Sequence, residues 1–353
     1  MTPKLIFPAL ILIGIAILYS ALFSVASPPD KTVDQEWWDG LSKEWQTILL
    51  INQNLSRQGL SIDTIQKEYI NRLNIKGDAE ISALNKSLHD LNEEEKFGLS
   101  YQDLYARAIR KNHLVHQDNI ELETLAKLET LYMVNGPADL SPLSRLPHLR
   151  VLIINYCGIG FNVPIKEQHI DLEPIRNLSE LRILQCASTP LTSLDPLHNL
   201  QNLEELTCDN TGVTSLSALK KLTKLRKLSI GSRITDLREI TDLRNLEELY
   251  IKGCKPITNF SGLKKLKKLS LSENEYALVK PSYRFSSLSF LKDLQNLEFL
   301  DLSQTSYHGS LVPLQDLRHL IAVSLPPVSA GEAESFKTRS ENCRIINAYA
   351  FQR

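Results

Sequence analysis

The residue types that could do chemistry are present in this chain, but their spacing gives them no shared task. Five cysteines, Cys157, Cys186, Cys208, Cys254 and Cys343, are odd in number, far apart and lack any Cys-x-x-Cys pair. Neither a disulfide framework nor a zinc site is indicated. Among the histidines only His113-x-x-His116 could share a helical face, and no acidic or cysteine partner lies at a ligand spacing. A metal site is therefore not expected. Phosphate-loop, nucleophile-elbow and metalloprotease signatures are absent from the sequence, and no carboxylate pair stands out. The sequence points to no catalytic residue, no cofactor and no small-molecule substrate; an enzyme is not expected. Lysines at 220–227 and 264–268 are interrupted by Glu204, Glu205, Glu247 and Glu248, and the 353-residue chain has a formal net charge of −1. That balance argues against nucleic acid, which needs a clear local excess of cations.

What must position these residues is a leucine rhythm. Leu-x-x-Leu-x-(Leu/Ile/Cys) recurs every 20 to 32 residues, starting at Leu128, Leu149, Leu181, Leu203, Leu225, Leu246, Leu266, Leu297 and Leu320. A period in this range predicts a solenoid. The clearest copy runs Leu203-Glu-Glu-Leu206-Thr-Cys208-Asp-Asn-Thr211-Gly-Val213-Thr-Ser-Leu216-Ser-Ala-Leu219-Lys-Lys-Leu222. Around Leu206 and Cys208 apolar residues alternate with period two, as in a strand with one face inward. From Val213 to Leu222 they are spaced by three, which suits a short 3₁₀ turn. The expected fold is α/β: a solenoid with a concave parallel β-sheet, short 3₁₀ or helical convex turns and an N-terminal helical cap, preceded by a transmembrane or signal helix. Stacked strands would place the Cys186 and Cys208 Cα atoms about 4.8 Å apart, within the disulfide range of roughly 4.4–6.8 Å. A bridge is allowed; the other reading is that the cysteines are small buried hydrophobes. Lys220, Lys221, Lys224, Lys264, Lys265 and Lys267 fall between the spaced leucines of the convex turn, where they read as a solvated face.

The full pattern, with copies such as Cys208-Asp-Asn-Thr-Gly-Val and Ile234-Thr-Asp-Leu237, resembles the short bacterial class of leucine-rich repeats seen in internalins and in a regulatory subunit of a eukaryotic serine/threonine phosphatase. The resemblance covers about residues 128–325. It implies a concave face that binds protein and names no ligand. The chain departs from the family in residues 60–127 and at two insertions.

Outside the rhythm, Leu5 to Val25 is free of charge. As a helix it would span about 32 Å, enough for a bilayer core of about 30 Å. Lys4 precedes it and Asp30, Asp34, Glu36 and Asp39 follow, so the remainder is expected outside the cytoplasm. Residues 1–26 thus read as a signal anchor, making a single-pass membrane protein with a periplasmic or extracellular repeat array; the alternative is a cleaved signal peptide and secretion. Residues 27–59 read as spacer and helical cap, with Trp38, Leu41, Trp45, Ile48 and Leu49 on one helical face. Residues 60–127 read as degenerate repeats with helices, or a small helical domain. Residues 326–353 form a C-terminal cap with a last helical turn near Ser335–Arg339 and a strand from Cys343.

Strand positions alternating with the inward leucines should face the concavity. They include Tyr132, Val151, Ile153, Tyr156 and Ile183 early, then Glu205, Asp209, Lys227, Glu248, Tyr250, Lys252 and Lys268, then Phe299 and Asp301. An apolar and aromatic patch grading into mixed charge suits a protein partner, unless the upstream region folds over it. Insertions at Gly158–His169 and Tyr276–Ser287 should project as rim loops, the second carrying Tyr283 and Arg284. The expected protein-binding residues are Tyr132, Val151, Ile153, Tyr156, Ile183, Tyr250, Tyr283, Arg284 and Phe299. The function class is protein–protein interaction at a membrane; the alternative is a structural envelope protein without one ligand.

Overall fold

Each repeat begins with a leucine that the fold buries: Leu149, Leu181, Leu203, Leu225, Leu246, Leu266 and Leu297 are all fully withdrawn from solvent. The computed structural model describes residues 33–56, 121–133, 136–158, 169–231, 233–234, 237–253, 260–272, 287–303, 305, 307, 309–326, 328–340 and 342–346. After each leucine comes a short strand, and the strands stack in chain order into one parallel sheet. They are β1 (Thr130–Tyr132), β2 (Val151–Ile153), β3 (Ile183–Gln185), β4 (Glu205–Thr207), β5 (Lys227–Gly231), β6 (Glu248–Lys252), β7 (Lys268–Ser272), β8 (Phe299–Asp301), β9 (Ala322–Ser324) and β10 (Arg344–Ile346). The register aligns Leu131, Leu152, Leu184, Leu206, Leu228, Leu249, Leu269 and Leu300 in one inward column.

The chain returns through 3₁₀ segments at Ser141–Arg145, Glu173–Ile175, Asp195–Asn199, Ser217–Lys221, Arg238–Asp242, Ser289–Leu291 and Val312–Asp316. Leucines or isoleucines three residues apart point inward because side chains at i and i+3 eclipse in this helix. Pro142, Pro174, Pro196 and Pro313 sit in first turns, where a missing N–H leaves no bond unmade. Between strand and turn, side chains satisfy inward carbonyls. Thr189 Oγ1 donates to Ile154 O (3.1 Å), Thr211 Oγ1 to Cys208 O (2.9 Å) and Thr305 Oγ1 to Leu302 O (2.7 Å). Cys157 occupies the equivalent place, its Sγ 3.5 Å from Met133 O. The described cysteines Cys157, Cys186, Cys208 and Cys343 are free thiols, so the Cys186–Cys208 bridge that spacing permits is not formed.

The N-terminal end is closed by α1 (Gln35–Gly40) and α2 (Lys43–Ser56). The single helical face expected for Trp38 to Leu49 is broken at Leu41–Ser42, where the Ser42 hydroxyl accepts the Trp45 amide (3.2 Å) and starts a new helix. Both pieces bury their apolar side: Trp38, Trp45, Ile48 and Leu49 join the core. The Trp45 indole donates to Asp139 O (2.9 Å), and Gln53 Nε2 to Glu121 O (2.7 Å) ahead of α3 (Leu122–Ala126). At the far end α4 (Ala330–Arg339) buries Phe336, and β10 pairs with β9. The C-terminal helix is thus longer than the single turn its sequence suggests. Among the described residues no helix is long and apolar enough to cross a membrane. The apolar stretch 5–25, most of the region 60–127 and nearly all of both insertions lie outside the described residues.

Candidate protein-binding face

The alternate positions of the strands form two columns on the concave side. One runs Thr130, Val151, Ile183, Glu205, Lys227, Glu248, Lys268, Phe299 and Ala322. The other runs Tyr132, Ile153, Gln185, Thr207, Ser229, Tyr250, Ser270, Asp301 and Ser324. A sequence pattern fixes this membership but not accessibility, and here one expectation fails. Tyr132 and Ile153 are only 2% and 1% exposed, so they do not form an open patch. Val151, Ile183, Tyr250 and Phe299 are half-buried, each presenting part of its side chain. Tyr283 and Arg284 lie outside the described residues.

Tyr156 is exposed (46%) and has a positive φ of 59°. Ser188 and Asn210 repeat this left-handed backbone at equivalent places, and Gly253 does so with φ 73°. The turn out of β2, β3, β4 and β6 takes that conformation, which costs an ordinary residue about 1–2 kcal/mol. Ser188, Asn210 and Gly253 are small or polar; Tyr156 places a large aromatic ring at the same position.

The middle of the face is charged and internally paired. Lys268 Nζ lies 2.8 Å from Glu248 Oε1, and the Tyr250 hydroxyl donates to Glu248 Oε2 (3.0 Å). Burial works against ionisation of Glu248, but Lys268, Tyr250 and Lys227 outweigh it and hold the carboxyl below its usual range. Burial, with Glu248 adding its charge, pushes the Tyr250 phenol up, so it stays a donor. Asp209 accepts from Ser229 Oγ (3.0 Å) and pairs with Lys252 Nζ (3.0 Å). Gly231 permits this packing: a Cβ there would come within 2.5 Å of Lys252 O. Sequence reasoning named Asp209, Glu248, Tyr250, Lys252 and Lys268 but not Ser229 or the wiring, in which every bond except Tyr250–Glu248 joins residues twenty or more apart.

The lysines of the convex side are exposed, and some have structural work. Lys224 donates to Asn202 Oδ1 (2.7 Å) and Lys265 to Asn245 Oδ1 (2.7 Å), while those asparagines donate to Ser179 O and Thr223 O of the preceding repeats (both 2.8 Å). His198 and His319 donate to backbone carbonyls at 2.7 Å. Among the described residues no group of three or more His, Cys, Asp or Glu could hold a metal ion.

A curved parallel sheet backed by 3₁₀ turns, with a charged and partly apolar inner face, defines a leucine-rich repeat solenoid, an architecture that offers extended concave binding surfaces. The family model described as "Leucine-rich repeat region" matches residues 121–330, and the chain belongs to that family. No curated protein sequence matches the chain. Solved structures similar to it include an internalin of Listeria monocytogenes (23% identity, 65% of this chain and 73% of that one, TM-score 0.47). A leucine-rich repeat protein of Leptospira interrogans is also similar (23% identity, 63% and 55% covered, TM-score 0.49). So is the Arabidopsis receptor kinase HAESA, solved with the peptide hormone IDA and the co-receptor SERK1 (18% identity, 64% and 38% covered, TM-score 0.46).

Proposed function

We propose that this chain binds a protein partner through the concave face of its repeat array, and that residues 1–26 hold it at a membrane with the array on the non-cytoplasmic side. The observation that carries the binding reading is the mixed inner face: half-buried Val151, Ile183, Tyr250 and Phe299 around a paired charged centre. Apolar groups supply contact area, and charges already held in place fix a partner's register at little further entropic cost. The membrane reading is supported by the charge-free stretch from Leu5 to Val25, with Lys4 before it and acidic residues after.

Site-specific photo-crosslinking in the native cell tests the binding reading. A crosslinker at Tyr250 or Tyr156 should yield one dominant adduct with another protein, and one at the exposed convex Lys220 should not. Equal adducts from all three positions, or none from the concave ones, would reject it. For the anchor, alkaline carbonate should leave the full-length chain in the membrane pellet; release into the supernatant would count against it.

A further inference from the structure

Along the chain the lysines of residues 220–227 and 264–268 alternate with glutamates, but the fold sorts the two signs onto different sides. Glu205 and Glu248 stand in the concave column with Lys227 and Lys268. Glu204 and Glu247, at the strand entrances, pair with Arg182, Arg226 and Lys267. The convex turns keep the remaining cations. Lys220, Lys221 and Lys224 come from one repeat, Arg244 from the next, and Lys264 and Lys265 from the third, all exposed. Hydrogen bonds between repeats hold these turns in register: Asn245 donates to Thr223 O (2.8 Å), and Lys265 donates to Asn245 Oδ1 (2.7 Å). The acceptors of Lys224 and Lys265 are neutral amides, which leave the charge in place. Among the described residues none of the six cations pairs with a carboxylate. Asp242 is the exposed carboxylate on the same described turns, while Arg238 and half-buried Glu239 add one charge of each sign. Six cations against one carboxylate give the patch a net charge of +5, on a chain whose total is −1.

We propose that this convex patch rests on the anionic headgroups of a phospholipid bilayer, so that the array lies with its back on the membrane and its concave face outward. The inference rests on the reading of residues 1–26 as an anchor, which keeps headgroups at a high effective concentration beside the array. The chemistry of the patch fits a headgroup layer better than a protein. A protein contact is built around a buried aromatic or aliphatic anchor. The exposed large apolar side chains of the described residues, Tyr156, Val312 and Ile321, all lie in other repeats. What the patch offers is charge on long flexible stems, which need no fixed partner geometry. Each cation close to an anionic surface strengthens binding about fivefold. The patch also has edges: Asn199, Gln201 and Asn202 precede it, and after it Lys292 is balanced by Asp293. None of its residues belongs to the concave face, and seating the convex side leaves that face open to a soluble partner.

The test reconstitutes the full-length chain in bilayers of phosphatidylcholine alone, or of equal parts phosphatidylcholine and phosphatidylglycerol. A fluorescent amino acid at exposed Thr223, inside the patch, reports energy transfer to acceptor-labelled headgroups. Transfer should be high in the anionic bilayer, low in the neutral one, and should fall as ionic strength rises. Lys220→Gln with Lys221→Gln should weaken the contact about 25-fold. Lys292→Gln with Arg318→Gln removes the same charge from exposed convex positions outside the patch and should leave transfer unchanged. Both variants should keep the circular dichroism spectrum of the unaltered chain. Equal transfer in the two bilayers would overturn the proposal, and is the result an acidic protein as occupant would give. Equal effects of the two variants would overturn it as well. The anchor reading fails on a different observation, release of the chain from the vesicles by alkaline carbonate. The patch is then read by flotation at low ionic strength, which should occur with the anionic vesicles alone; no flotation, or flotation with both, sinks it.

Discussion

The side-chain amide of Asn52 in α2 pairs with both backbone groups of Tyr132 in the first strand: it accepts the Tyr132 N–H at 2.7 Å and donates to its carbonyl at 3.0 Å. One side chain thus imitates a neighbouring strand at the edge of the sheet. An open edge would offer these groups to another chain.

Replacing Asn52 by Leu leaves a buried donor and a buried acceptor without partners. The expected loss of stability is about 2–6 kcal/mol, at about 1–3 kcal/mol for each group. Amide exchange should also lose protection at Tyr132 before it does in the central strands. Unchanged exchange at Tyr132 would show that the amide pair does not hold the edge.

The thiols give an alkaline signature. Burial pushes Cys157 from the ordinary 9.0 up to about 12 and Cys343 up to about 11, and it raises Cys186 as well. A folded-state thiol that resists ionisation favours the fold less as pH rises above the unfolded value. Between pH 9 and 12, Cys157 should therefore lower stability by about 1.4 kcal/mol per pH unit. Iodoacetamide at pH near 8 should label Cys157 and Cys186 only after denaturation; rapid labelling of native protein would contradict their burial.

The acidic limb is set partly by Glu248. Its carboxyl is held below the usual 4.5, so its stabilisation is present above the unfolded value and is lost as pH falls through the folded one. Lys268→Met removes the ion pair and leaves the burial. The Glu248 midpoint, followed by carboxyl carbon NMR, should rise. Stability at neutral pH should fall by about 0.5–1 kcal/mol, because Lys268 is partly exposed. An unmoved midpoint would mean the pair is not formed in solution.

Two glycines should respond oppositely to alanine. A Cβ on Gly262 would run into the backbone carbonyl of Thr241 in the preceding repeat, whereas one on Gly40 meets nothing within 4 Å. Gly262→Ala should destabilise by about 1–3 kcal/mol, and Gly40→Ala should stabilise by about 0.4–1 kcal/mol. Paired urea titrations check both. Equal effects would mean that adjacent repeats are less closely stacked at Thr241 than described.

Much of the framework is legible locally. The alternation at Leu206 and Cys208 marks a strand, and the three-residue spacing from Val213 to Leu222 marks the turn that became the 3₁₀ segment Ser217–Lys221. Each signal lies within one repeat, because a solenoid unit contacts only its neighbours. The candidate face is legible only in part. Val151 and Tyr132 carry the same kind of signal, an apolar residue at an outward strand position, yet one is half-buried and the other almost fully covered. Nothing in the repeat separates them, since accessibility depends on what packs above.

By itself the sequence determined the period, and with it the parallel sheet, the inward leucine column and the 3₁₀ return. Those follow from side-chain spacing along a single unit. The tertiary structure decided what depends on contacts between units. It broke the tryptophan segment into two helices at Ser42, turned Asn52 into an edge partner for Tyr132 and left Cys186 and Cys208 as separate thiols. It also set Glu204-Glu205, Arg226-Lys227, Glu247-Glu248 and Lys267-Lys268 side by side. Charges twenty residues apart in the chain become neighbours only when strand register is fixed, and register is a property of the stack.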